Sequence, residues 1–484
     1  MVVGEIAEER DVVIIGGGPG GYHAAIRAAQ MGKQVTIIEK TSLGGICLAK
    51  GCIPSKMFAA AAKKLDDLKR YDRFGINVED FRFDLKRLHT HVNETITRLG
   101  AGVEGLIQAN NIELIKGSAY FLSEDRIGVE NDHSFTVYRF NSAVIATGSS
   151  HEMIEEADNK QIFTSESIYS IEEVPEHLVI CGSDYLALET AFTFQQFGSK
   201  VSLILDNAGK EFDFDSSVNK EIKRLLKKRK IQLIAGKMIQ SIQSEDFLTI
   251  HLTEENGAKT KALEATHFVL SARQIPNTAS LGINRLKMNM GEEGHIVIDR
   301  ACRTSIKNIY AVGDVTEGQA LAVKAIKQGK TAAEEIAGIP SEADFTFLPT
   351  VVHMNPPLSF AGLTEEAARN EFNNVQTAIF PMGGNGFAEI TGEREGFIKV
   401  IMDGDSELIV GIHIVGQGAV EMASASTLAL EMVARAEDLS FLHYPHPSLN
   451  EGLLEAVEAL TGRAVHLAPK KQEMEKVGSR IQHQ

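Results

Sequence analysis

The sequence predicts an α/β fold in which one strand–turn–helix–strand unit occurs twice. Two segments carry that expectation: residues 11–40, DVVIIGGGPGGYHAAIRAAQMGKQVTIIEK, and residues 178–206, LVICGSDYLALETAFTFQQFGSKVSLILD. Each opens on a short apolar run suited to a buried parallel strand, turns at glycine, and continues with helical spacing into a second apolar run. A third observation bears on chemistry: Cys47 and Cys52 stand close together just after the first unit.

In the first unit Gly16, Gly18 and Gly21 make the spacing GxGxxG. The first glycine turns the chain, the second lets backbone approach a pyrophosphate, and the third lets helix and strand pack closely. The helix N-terminus then faces the phosphates. Glu39 ends the second strand, where a carboxylate accepts a hydrogen bond from an adenosine ribose. The order of parts makes this unit Rossmann-like and predicts dinucleotide binding. Two later segments read as strand ends beside small-residue turns: AVIATGSS, residues 143–150, and NIYAVGD, residues 308–314.

The second unit departs from the pattern. Gly182 keeps the first glycine and Ala187 takes the third position, but Asp184 stands in the middle. A carboxylate there is bulky and repels a pyrophosphate. Laying VTIIE on VSLIL without a gap puts Leu205 at the ribose-binding position, with Asp206 one residue late. Two alternatives stay open: the site is damaged, or Asp184 swings outward and Asp206 substitutes after a small strand shift. No arginine follows the strand to favour a 2′-phosphate.

The cysteines lie in GGICLAKGCIPSK, residues 44–56. Five helical residues rise about 7.5 Å, whereas bridged cysteines need Cα atoms within roughly 7 Å. A regular helix therefore does not hold the bridge, and Gly44, Gly45, Gly51 and Pro54 supply the means to interrupt one. A reducible disulfide is one reading, and two buried thiols or half a zinc site are the others. Only four cysteines are present, and Cys181 and Cys302 are isolated, which argues against zinc and makes those two buried apolar residues. No metal site is expected.

Length and charge narrow the class. A chain of 484 residues predicts about three or four domains. Its net charge of −16 disfavours nonspecific nucleic-acid binding, and no apolar run reaches membrane-spanning length. Glu5, Glu8 and Glu9 do not read as a secretory signal, so the expected compartment is a reducing cytoplasm, where a lone disulfide is catalytic. The basic stretch KEIKRLLKKRK, residues 220–230, reads as a helix with a solvated basic face.

Taken together, the glycine-rich unit, ATG, GD and the cysteine segment resemble the flavin-dependent pyridine nucleotide–disulfide oxidoreductases, and among them the lipoamide dehydrogenases. The similarity runs over nearly the whole chain. It implies an α/β protein with two Rossmann-like domains, for FAD and NAD, and a C-terminal α+β dimerisation domain. By resemblance Cys47 is the interchange thiol and Cys52 the thiol beside the flavin, with Lys56 near the flavin's reactive nitrogen and Glu189 as its partner. The flavin site takes in Gly117, Thr147, Gly148, Asp314 and Ala322, and the NAD site Gly182 and Asp206.

YPHPSLNEGLLEA, residues 444–456, is similar to the family's HxHPTxSE signature, with Tyr444, Ser448 and Asn450 as departures. His446 and Glu451 then match the acid–base histidine and its orienting carboxylate, a pairing suited to dithiol proton exchange. The resemblance implies that cysteines and histidine meet across a homodimer. Expected boundaries are 1–150 and 278–347 for FAD and the central segment, 151–277 for NAD, 348–470 for the interface, and 471–484 for a polar tail. The implied reaction oxidises a dihydrolipoyl group, or a small dithiol, through the cysteines and FAD to NAD. The partner is then a dihydrolipoyl domain, with docking on the acyltransferase core of a 2-oxo-acid dehydrogenase complex. The alternative is a paralogue with another electron partner, motivated by the second unit. The tail lacks the paired cysteines of mercuric reductases, which weighs against mercury.

Overall fold

Residues DVVII enter strand β1 (Glu8–Ile15), whose last four residues are buried on both faces, as a continuous apolar run requires. The computed structural model describes residues 7–468 except 132–133, 152–159, 206–210, 245–246, 255–259 and 272–273. Asp206 and the 471–484 tail lie outside the described residues. The chain divides into two compact units: residues 1–58, 82–173 and 272–345, and residues 59–81, 174–271 and 346–484.

In the first unit, β1 leads through helix α1 (Pro19–Gln30) to β2 (Val35–Glu39), paired in parallel with Val12 opposite Val35. Helices α2 (Gly45–Ala49), α3 (Cys52–Leu68) and α4 (Leu85–Ala109) follow, then β3 (Glu113–Lys116), β4 (Ser118–Ser123), β5 (Arg126–Asn131) and β6 (Ser134–Ile145). The sheet order is β3-β2-β1-β6-β5-β4, and the end of β6 also pairs in parallel with strand Ile309–Ala311.

Alternation along β1 divides the core between the two sheet faces. Val12 and Ile14 pack with Ala24, Ala25 and Ala28 of α1, while Val13 and Ile15 pack with Phe121, Phe140 and Leu281. Each fully buried Val or Ile contributes about 1.5–3 kcal/mol. Small residues set how closely α1 meets helix Ala322–Ile336: a Cβ on Gly329 would lie 2.3 Å from the Gly20 carbonyl oxygen.

The second unit repeats the parallel arrangement. Strands Gln232–Ile234, Lys200–Ile204, His177–Cys181 and His267–Leu270 lie side by side in that order. Helices α5 (Tyr185–Phe197) and α6 (Ser216–Lys228) connect them. On α6, Val218, Ile222, Leu225 and Leu226 are buried, which leaves Lys220, Lys223, Arg224, Lys227 and Lys228 to the opposite face, while Arg229 just past the helix turns inward to Asp66.

A five-stranded antiparallel sheet closes the chain, in the order Thr350–Val352, Leu358–Gly362, Ile409–Val415, Phe397–Asp403, Val375–Pro381. Helices Ala419–Glu431 and Glu451–Leu460 share a core with it through Met422, Leu430, Leu453 and Val457 against Ile398, Val400 and Ile414. This is the expected mixture: two α/β nucleotide-binding folds and an α+β domain.

Candidate active site

The cysteine segment is interrupted where the bridge geometry demands. Helix α2 ends at Ala49, Lys50 leaves helical geometry at φ −135°, and α3 starts afresh at Cys52. The Gly51 amide donates back to the Ile46 carbonyl at 2.8 Å, tightening the break. The Sγ atoms of Cys47 and Cys52 are 2.6 Å apart, and both residues are half-buried.

Gly44 and Gly45 adopt φ of +93° and +59°, which favour glycine. A Cβ on Gly45 would sit 2.8 Å from the Gly18 Cα, and the Gly44 amide donates to the Gly17 carbonyl at 2.8 Å. The cysteine loop is thus fastened to the first glycine-rich turn. Its hydrogen bond with Cys52 and its burial push the Cys47 thiol up, against the pull of the Lys56 cation. Cys52, first residue of a 17-residue helix, is placed where the dipole favours a thiolate.

The glycine-rich turn is built for a phosphate-bearing ligand. Gly16 has φ +102°, and a Cβ on Gly21 would fall 1.9 Å from the Gly16 carbonyl oxygen. Helix α1 starts at Gly18 with no side-chain cap, so its first amides stay available to an anion. Glu39 is held by the Gly17 amide at 2.7 Å on one oxygen and by Thr41 on the other. The Gly17-bound oxygen, with one donor, retains acceptor capacity for a ribose hydroxyl.

Gly117, at the end of β3, donates its amide to the Glu39 carbonyl at 3.1 Å, and a Cβ there would meet the Glu130 oxygen at 2.8 Å. Thr147 and Gly148 are braced by Asn277: its side-chain amide donates to the Thr147 carbonyl at 2.9 Å and its backbone amide to Gly148. Burial raises the Asp314 carboxyl above its ordinary value, with Lys324 acting in the opposite sense. Ala322 opens a helix that has no side-chain cap. The donor set fits a flavin dinucleotide: the uncapped helix start could take phosphates, Glu39 could accept from a ribose hydroxyl, and Asp314 from a polyol hydroxyl.

Sequence reasoning missed Asn277, Gln328 and Lys324. Gln328 accepts the Gly313 amide at 2.7 Å, and buried Lys324 donates to the Thr316 and Glu317 carbonyls. A buried lysine and glutamine ten and fourteen residues past Asp314 carry no local motif, so only the fold reveals them.

In the second unit hydrogen-bond register fixes the comparison with the first. Gly16 donates to the Ile38 carbonyl and Gly182 to that of Ile204, each at 2.9 Å. Ala146 donates to Ile15 and Ser271 to Cys181, each at 2.8 Å. Asp184 therefore stands at the place of Gly18, Leu205 at that of Glu39, and Ser271 at that of Ala146. Leu205 is fully buried, and the ungapped register leaves no strand shift up to that residue. The Asp184 carboxylate turns onto its own helix: one oxygen accepts the Ala187 amide at 2.8 Å and the other the Ser271 hydroxyl at 2.6 Å.

Also in the second unit, buried Glu189 accepts the His353 amide at 2.8 Å. His446 Nδ1 is 2.7 Å from Glu451 Oε1, and the Ser448 amide donates to Glu451 Oε2 at 2.8 Å. Burial opposes it, yet the hydrogen bonds from His446 and Ser448 lower the Glu451 carboxyl. The His446 side chain is 82% exposed, so the dyad presents its imidazole outward. Tyr444 packs into the core and donates its hydroxyl to the Leu439 carbonyl at 3.0 Å. One helical turn beyond Glu451, Glu455 makes a second dyad with His466, Nδ1 to Oε1 at 2.6 Å. The i,i+4 spacing of the glutamates is its only sequence signal. Cys181 and Cys302 are buried, and burial pushes the Cys302 thiol up to about 12.

Residues 10–329 match the model for pyridine nucleotide-disulphide oxidoreductases, and residues 348–457 that for the dimerisation domain of the same group. The chain is 37% identical over 473 residues to a dihydrolipoyl dehydrogenase of Geobacillus stearothermophilus, covering 97% of this chain and all of that one. The Bacillus subtilis dihydrolipoyl dehydrogenase is 35% identical, with 96% and 100% covered. In fold, LpdA of Mycobacterium tuberculosis is similar at TM-score 0.86 and 23% identity, with 93% of this chain and 99% of that one covered. No helix among the described residues is long and apolar enough to cross a membrane. FAD and NAD(H) are the cofactors of this group. The chain belongs to the pyridine nucleotide-disulphide oxidoreductase family, and is a flavoprotein oxidoreductase with that family's dimerisation domain.

Proposed function

We propose that this protein oxidises dihydrolipoyl dithiols, with Cys47 and Cys52 as the redox pair and His446 and Glu451 as the proton-transfer dyad. The observation that carries the reading is the 2.6 Å approach of the two sulfurs on a loop fastened to the glycine-rich turn. One substrate thiolate attacks Cys47 Sγ of the oxidised pair, the Cys47–Cys52 bond breaks, and Cys52 leaves as thiolate. The helix start at Cys52 supports that leaving group. His446 takes the proton of the second substrate thiol, whose sulfur then attacks the first and releases Cys47. Two electrons and the matching protons have moved from substrate to protein, and the product is a cyclic disulfide.

Glu451 supports this role for His446, since a carboxylate on Nδ1 leaves Nε2 as the nitrogen that exchanges protons and stabilises the imidazolium. When bound, FAD supplies the two-electron acceptor that returns the pair to its disulfide. Gly16, Gly18, Gly21, Glu39, Gly117, Thr147, Gly148, Asp314 and Ala322 would hold it, with Lys56 lowering the thiol pKa nearby.

The site is completed in a homodimer by His446 of the partner subunit. Exposed Leu428, Met432 and Phe441 in the dimerisation domain support such an interface. FAD-binding segments 1–150 and 278–347, a nucleotide segment 151–277 and an interface segment 348–470 describe the division of labour. The compartment proposed is the cytoplasm, and the partner a dihydrolipoyl domain of a 2-oxo-acid dehydrogenase complex. Anaerobic titration with dihydrolipoamide, followed by quenching and counting of free thiols, tests the reaction. Two new protein thiols with loss of substrate thiols are expected; an unchanged count in protein that dithiothreitol does reduce would sink the assignment.

A further inference from the structure

We propose, resting on the reading of residues 177–270 as the nicotinamide nucleotide unit, that Asp184 and Ser271 close this unit from within, making NAD(H) and NADP(H) weak ligands. The two nucleotide units of the chain are each other's control. At the start of α1 no side chain caps the helix; at the start of α5 the Asp184 carboxylate does, bonded to the Ala187 amide at 2.8 Å. A dinucleotide pyrophosphate needs those same amides and that same end of the helix dipole. It would have to displace a carboxylate or lie against one of like charge.

The carboxylate is also anchored from the other side. Ser271 donates its hydroxyl to Asp184 at 2.6 Å, and the equivalent position in the first unit is Ala146, which has no side-chain donor. Gly18 and Ala146 in one unit thus become Asp184 and Ser271 in the other, a paired change that forms a bond across 87 residues of chain. The ribose end has changed as well. Leu205, fully buried, occupies the position of Glu39 and offers a ribose hydroxyl no acceptor. Both anchors of an adenosine dinucleotide, phosphate and ribose, are therefore altered in the same unit.

Calorimetric titration of the FAD-loaded protein with NAD, NADH and ADP-ribose tests the closure without turnover. Wild-type protein should show no saturation below about 1 mM. Asp184→Gly with Leu205→Glu should tighten ADP-ribose on the order of a hundredfold, the scale of removing a like-charge clash. Asp184→Asn, which can keep a cap without the charge, guards against a folding failure and should show a smaller gain in the same direction. Micromolar binding by wild type, or the same affinity in all variants, would overturn the proposal. Counting dihydrolipoamide-generated thiols in the same samples keeps the two readings apart: that count addresses the cysteine chemistry and is indifferent to the nucleotide.

Discussion

Lys399 Nζ lies 2.8 Å from Asp215 Oδ1, and both side chains are buried, at 0% and 1% exposure. Lys399 also reaches Glu365 at 2.7 Å and the Ser217 hydroxyl at 3.1 Å, while Asp215 caps α6 through the Ser217 amide. The cluster links the nucleotide fold to the C-terminal sheet within the second unit.

Removing one member leaves a buried charge unpaired. Lys399→Met should lower unfolding free energy by about 3–5 kcal/mol, measured by urea denaturation at neutral pH. Burial alone would raise the Asp215 carboxyl, but Lys399 and the Glu365 and Ser217 amides outweigh it and hold it at about 2, down from 3.8. A depressed folded-state value gives stability above the unfolded value, lost as pH falls from near 3.8 towards about 2. Stability measured through that window should fall less steeply in Asp215→Asn, which starts lower, than in wild type.

Thiol accessibility separates the cysteines. In reduced native protein a small alkylating reagent should label half-buried Cys52 and, more slowly because its thiol is also raised, Cys47, and spare Cys181 and Cys302, which are buried. The raised Cys302 thiol, at about 12, adds a chemical barrier at pH 8. Peptide mapping after unfolding with a second reagent reads the result directly.

His446→Gln should slow dihydrolipoamide oxidation by about 10²–10⁴-fold, the usual range for a positioned acid–base group. Reduction of the cysteines by dithiothreitol, given time, should still go to completion. Glu451→Gln should lose less, since the imidazole remains but its ion partner is gone. Stopped-flow measurements over pH 6–9 distinguish loss of proton transfer from loss of folding.

Gly45→Ala places a methyl 2.8 Å from the Gly18 Cα, backbone that cannot move aside cheaply. Displacement of the cysteine loop from the glycine-rich turn should cost about 1–3 kcal/mol and lower the flavin-to-protein ratio on purification. Absorbance spectra set against protein concentration give that ratio.

Much of this site can be read along the chain, because its parts are local. The break between α2 and α3 follows from two cysteines five positions apart among glycines, and Glu451 reaches His446 within five residues. The open start of α1 is likewise written in GGGPGG, where no residue has a side chain able to cap. Asn277 was not legible: it braces Thr147 from 130 residues away. Nor was the direction of Asp184, since a carboxylate in a glycine position can turn outward or inward with equal ease in sequence.

By itself the sequence determined the two nucleotide units and the irregular cysteine loop, which depend on short-range spacing and on what glycine and proline permit, while the His446–Glu451 pair was read from a family resemblance. Tertiary structure decided for the ungapped placement of Leu205 over a strand shift, and it alone showed that Ser271 holds Asp184 against α5 and that Lys399 is buried against Asp215. Those outcomes rest on strand register and on hydrogen bonds between distant segments. Such contacts exist only once parallel strands have aligned and water has been excluded around them.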